Sequence, residues 1–182
     1  IYPVTPYYSF DTALNRMEKL LAEEHSPSKL KVEYPEEPPE KGSSHYGWMI
    51  FPYVKYNMKT GFTEIVKKLH ISFDSFYKGL DFLLNVSTVL LPYYPFGYAQ
   101  YAHRFFVFWT DYEEFLCKFL GLLPSHTSIV KVNDALFAYV NILEDGQSNE
   151  HRFFSLCFRM RELRLVDKFW AASPVFRWVP DT

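Results

Sequence analysis

The sequence predicts an α+β fold: three main helices packed on antiparallel strands, with a C-terminal three-stranded meander. Three observations predict it. Residues 9–25 repeat apolar side chains at helical spacing, residues 29–34 alternate apolar with charged side chains, and residues 128–161 alternate between turn-forming segments. The alternative is a mostly α-helical chain, with 133–143 and 149–170 as helices capped by Asn133 and Asn149. Strands are preferred because Phe154, Leu156, Phe158 and Met160 alternate with Ser155, Cys157, Arg159 and Arg161, so a helix would be apolar all round.

In the first helix, Phe10, Ala13, Leu14, Met17, Leu20 and Leu21 form one stripe. Ser9 or Asp11 caps its start and Pro27 stops it. Leu30, Val32 and Tyr34 then face one way along a short strand. Residues 35–44, PEEPPEKGSS, are too rich in proline and charge to pack and read as an exposed acidic loop. A strand is expected over 46–57, at an edge or bulge because of Pro52. Phe62, Ile65, Val66 and Leu69 mark a short helix, and Ser72 caps another running to about Leu91. Pro92 and Pro95 force a bend. Residues 98–120 read as one helix with a broad aromatic face that includes Tyr101, Phe105, Phe108, Trp109 and Tyr112. Asn133-Asp134 is a turn pair between 128–132 and 135–143, and residues 144–150 form a loop. Residues 171–182 are a C-terminal tail.

The totals limit the function classes. A chain of 182 residues has room for one globular domain, 1–182, with a core that needs no metal or disulfide staple. Its net charge of −2 draws it to neither nucleic acid nor acidic membrane. The two cysteines, Cys117 and Cys157, sit among apolar neighbours and read as small buried hydrophobes, which points to a reducing, intracellular compartment, nucleus or cytoplasm. The chain starts at Ile1 rather than Met, as a processed or excised product would, and no signal-peptide pattern opens it. Its longest apolar stretch, residues 80–99, is broken by Asn85, Pro92 and Pro95, so no membrane partner is expected.

No reagent-bearing motif stands out. The six histidines lack metal-ligand spacing, glycines are too few for a phosphate loop, and no nucleophile elbow is present. We therefore assign no catalytic residue, metal or cofactor. An enzyme would need a site assembled from distant residues, for which His103, Asp111, Tyr112 and Cys157 are the candidates. Asp111, Glu113 and Glu114 read as a charged solvent face. Asn85-Val86-Ser87 matches the glycosylation sequon inside an apolar helix, where a chance match is the simpler account.

Residues 64–80, EIVKKLHISFDSFYKGL, resemble a helix-turn-helix motif through Ile65, Val66, Leu69, Ile71, Ser72 and Phe76. The motif departs at His70, where Gly is usual, and at Phe73 and Asp74, where a DNA reader carries polar or basic groups. What carries over is a pair of helices meeting at an angle.

The function expected is a non-enzymatic protein-interaction module, because aromatics and arginine are what interface cores enrich. The docking residues expected are Tyr94, Phe96 and Tyr98 at a proline-held corner, and Trp170, Phe176 and Trp178 near the C-terminus. The alternative is an RNA or single-stranded DNA binder. Residues 151–178 hold six basic against two acidic side chains, and Arg152, Arg159, Arg161, Arg164 and Lys168 are interleaved with rings. Sequence alone leaves the oligomeric state open.

Overall fold

A computed structural model describes residues 6–31, 41–55, 61–87, 93–146 and 148–174. The elements run α1 (Phe10–Leu21), α2 (Lys41–Val54), α3 (Phe62–Leu69), α4 (Phe73–Val86), β1 (Tyr101–Trp109), α5 (Glu113–Leu120), β2 (Ser128–Val132), β3 (Ala135–Leu143), α6 (Ser148–Glu162) and β4 (Lys168–Ala172). The fold is α+β. Two compact units divide the chain, one from Ile1–Val32 and Pro92–Trp178, the other from Glu33–Leu91 and Val179–Thr182.

The first unit carries a β-α-β-β-α-β sequence whose sheet order is β2-β3-β1-β4 with every neighbour antiparallel. That is the ferredoxin-like split-βαβ topology. Register fixes two faces. Phe106 and Phe108 on β1, Leu136, Ala138, Val140 and Ile142 on β3, and Ile129 on β2 share one face. They pack in a single core with Leu14 and Met17 of α1, Leu116 and Phe119 of α5, and Phe153, Leu156, Cys157 and Met160 of α6. The helices therefore cover one face of the sheet, and the other faces away from them.

Several elements differ from the sequence expectation. Residues 98–120 are not one helix but β1 followed by α5. In β1 one side is buried and the other half-shielded, so apolar positions fall at helical spacing as readily as at period two. Aromatic and β-branched bulk decides for the strand. Residues 149–161 are helix α6, not the third strand of a meander, and only β2 and β3 form the expected hairpin across Asn133-Asp134. Buried Phe153, Leu156, Cys157 and Met160 stand at i, i+3, i+4 and i+7, a helical stripe that hid beneath an alternation along the same segment. The all-helical alternative fails at 133–143, which is mostly β3. β4 lies where a C-terminal tail was expected to begin. Of the expected 29–34 strand, the described residues 29–31 join no sheet, and an isolated bridge pairs the preceding Ser28 with Tyr112.

In the second unit the expected strand over 46–57 is helix α2, which begins at Lys41, inside the expected acidic loop, and tolerates Pro52 within it. Ile50 and Val54 of α2 pack with Ile65 and Val66 of α3 and with Phe76, Phe82 and Leu83 of α4. Glycine decides this packing. A Cβ on Gly79 would stand 2.8 Å from the backbone carbonyl carbon of Tyr46, and one on Gly47 would collide with the Phe82 ring. α2 and α4 therefore meet backbone to backbone. α3 and α4 are the expected helix pair. Ser72 caps α4 by accepting from the Ser75 N–H at 3.0 Å, and His70 ends α3 in the left-handed region at φ 52°.

Candidate docking surface

The face of the sheet turned away from the helices is built by register. One row across it reads Val130, Phe137, Val107, Trp170; the next reads Ser128, Tyr139, Phe105, Ala172; a third reads Val132, Ala135, Trp109, Lys168. Strand alternation puts all of these on one side. Phe105 is 37% exposed and Trp170 66%, while Val130 and Val132 are about half exposed. Phe105 and Phe137 are in tilted ring contact at 5.8 Å, and Trp109 meets Trp170 edge-on at 5.1 Å. Lys168 holds its ammonium 4.2 Å above the Trp109 ring. Among the described residues of these three rows, Lys168 is the charged side chain.

One end of the same face is capped. Tyr98, from a short 3₁₀ turn at Tyr98–Gln100, stacks on His103 at 4.1 Å. Behind the rings lies a polar cluster. The His103 Nδ1–H donates to Asn141 Oδ1 at 2.5 Å, and Asn141 Nδ2 donates to the His126 carbonyl at 2.5 Å. Ser125 Oγ donates to the Asn141 carbonyl. Asn141 is fully buried, so these bonds replace its lost water. Burial pushes His126 below its ordinary value of 6.5.

The structure brings only part of the expected site together. Tyr94 is partly buried, in edge contact with Tyr98 and Tyr101, whereas Phe96 and Tyr98 are exposed. Trp170 lies on the open face. Phe176 and Trp178 fall outside the described residues. The arginines scatter. Arg152 pairs with Asp11 at 2.7 Å and Arg159 with Glu18 at 3.2 Å, both holding α6 to α1. Arg161 and Arg164 are exposed at the end of α6, Arg164 at φ 58°. Of the basic set, Lys168 is the member placed among the open-face rings.

The distant candidates for a catalytic site stay apart. His103 is near the start of β1 and Asp111 follows its end, separated by about 20 Å of strand. Asp111 is exposed and pairs with Lys29 at 2.7 Å. Tyr112 occupies the cap position before α5. Cys157 is wholly buried, where desolvation pushes its thiol far up, and burial raises Cys117 to about 11. Both cysteines are free. No group of His, Cys, Asp and Glu among the described residues could hold a metal ion, and no described helix is long and apolar enough to cross a membrane.

Glu113 is the clearest departure in charge. Expected on a solvent face, it is 1% exposed, receives the Leu30 N–H at 2.8 Å and pairs with Lys131 at 2.7 Å. Burial acts to raise its pKa, but the hydrogen bonds from Lys131 and Leu30 and the charges of Lys131 and Lys29 outweigh it, holding the carboxyl below its ordinary 4.5.

No protein-family model matches the chain, and no curated protein matches it by sequence. Among solved structures it is similar to AsnC of E. coli, at 14% identity and a TM-score of 0.49, over 76% of this chain and 95% of that one. A likeness at that level carries no argument about function.

Proposed function

We propose that this chain is a non-enzymatic protein-docking module whose docking surface is the open face of the β2-β3-β1-β4 sheet. One observation carries the reading: Phe105, Trp109, Phe137, Tyr139 and Trp170, with Val130 and Val132, share a face that the helices of their own unit leave uncovered. Aromatic side chains in such a patch are the usual anchors of protein interfaces. Charge selects the occupant. A two-fold pair presents the same patch from both sides, so a face of one charge sign meets its own sign, whereas the described rows of this face hold one lysine among rings. The occupant that fits is the same face of a second copy, packed sheet on sheet.

Sedimentation velocity of the purified chain tests this. The wild type should associate at concentrations up to about 100 μM, and Val130→Glu should be monomeric with unchanged circular dichroism. A wild type that stays monomeric, or a variant that associates as before, overturns the reading.

A second reading has one observation in its favour: the Lys168 ammonium over Trp109 beside exposed Trp170 combines a cation with stacking rings, as a single-stranded nucleic-acid site does. Binding of a labelled oligonucleotide that weakens steeply with salt and is lost in Lys168→Met with Trp170→Ala would favour it. Arg152 and Arg159, already engaged by Asp11 and Glu18, count against a phosphate groove.

A further inference from the structure

The second unit contains a groove that the docking reading does not use. It is lined by Trp48, Met49, Pro52, Tyr53, Lys68 and Leu69, and its volume is about 380 Å³. That is enough for a small organic ligand, whose sites run from roughly 300 to 1,000 Å³. Its lining side chains are apolar or aromatic types apart from Lys68. Trp48 is 56% exposed despite its edge contacts with Phe51 and Phe82, an indole left largely wet beside Met49 and Tyr53.

One polar feature gives the groove a direction. Lys68, its one charged lining residue, places its ammonium 4.9 Å from the Tyr53 ring centre. Pro52 extends the apolar wall along α2 beyond Trp48. A solvent-exposed cation thus stands at the edge of an apolar, aromatic groove.

We propose that this groove is a binding site for a small planar aryl carboxylate. Its ring lies against Trp48 and Tyr53 and its carboxylate bonds to Lys68. All six lining residues belong to the second unit.

Isothermal titration calorimetry with indole-3-acetate, and with its neutral amide as control, tests the proposal on the full chain. The acid should bind at one site, and the amide about threefold more weakly, since an ion pair to an exposed lysine contributes at most about 1 kcal/mol. Lys68→Met should abolish that discrimination and Lys68→Arg should retain most of it. Lys68 is exposed, so neither change threatens folding, and circular dichroism confirms it. Phe105→Glu should leave binding intact, which separates this site from the docking face. Absence of saturable binding up to about 10 mM, equal binding of acid and amide, or unchanged discrimination in Lys68→Met overturns the proposal.

Discussion

The two faces of the sheet use almost the same side chains to different ends. On the covered face, Phe106 and Phe108 stack at 5.4 Å and are fully buried under α6 and its neighbours. On the open face, one residue away along the same strand, Phe105 and Trp109 look out from the helices. Composition cannot tell these faces apart; only the pleat and the crossover helices do. A sheet covered on one side usually alternates apolar with polar, and this one does not, which is the contrast on which the docking proposal rests.

The sharpest way to break the comparison is to truncate one ring on each face. Phe106→Ala should lower unfolding stability in urea by about 4 kcal/mol, because it removes a buried ring and leaves a cavity. Phe105→Ala, measured where the chain is monomeric, should cost under about 1 kcal/mol but weaken self-association. Equal losses of stability would mean that the open face is covered within the chain.

Charge separates the faces next. Glu113 joins β2 and α5 on the covered side through Lys131, and also holds the Leu30 backbone. Glu113→Ala should cost about 3 kcal/mol, since Lys131 would be left without its buried partner. The pH dependence has a definite sign. The folded carboxyl titrates below 4.5, so its stabilisation is complete above the unfolded value and is lost as pH falls through the lower folded one. Glu113→Gln should therefore flatten the loss of stability below about pH 4.5. Lys168→Met on the open face should leave the acid limb unchanged.

How far the sequence could be read follows from the same contrast. α1, α3, α4 and the β2–β3 hairpin were legible because each has one apolar side, a cap or a turn pair, and one period that fits. β1 was not, because apolar groups on both its sides erase period two. α6 was not, because Phe154 and Phe158 extend its apolar surface beyond the buried stripe and mimic a strand. The sequence singles out Trp170 by its type and its place after α6, and the structure puts it on the open face. Phe105, Phe137, Tyr139 and Trp109 escaped notice as a patch, since only the pairing of β1 with β3 and β4 assembles them. Glu113 was taken for solvent-facing because nothing local signals Lys131, 18 residues on.

The open face is not uniform, and its capped end predicts an intermediate effect. Asn141 pairs with His103 in register on this face, yet it is fully buried and bonded to His103 and the His126 carbonyl. Asn141→Leu should cost about 2 kcal/mol, because His103 and the carbonyl lose their partners without regaining water. Self-association through the middle of the face should survive, which thermal unfolding and sedimentation would check together.

The smallest effect concerns what holds the helices over the covered face. Arg159 and Glu18 join α6 to α1 at 3.2 Å, but both are largely exposed. Water already solvates the two charges, and fixing two long side chains costs entropy, so such pairs contribute from nothing to about 1 kcal/mol. Arg159→Ala should lower stability by less than about 0.5 kcal/mol, and raising the salt concentration should shrink that difference further. If the loss instead exceeded that of Asn141→Leu, the α1–α6 layer would rest on its ion pairs. The apolar packing of Leu14, Met17, Phe153 and Met160 would then have been overrated, and with it the view that this covering layer is seated by burial alone.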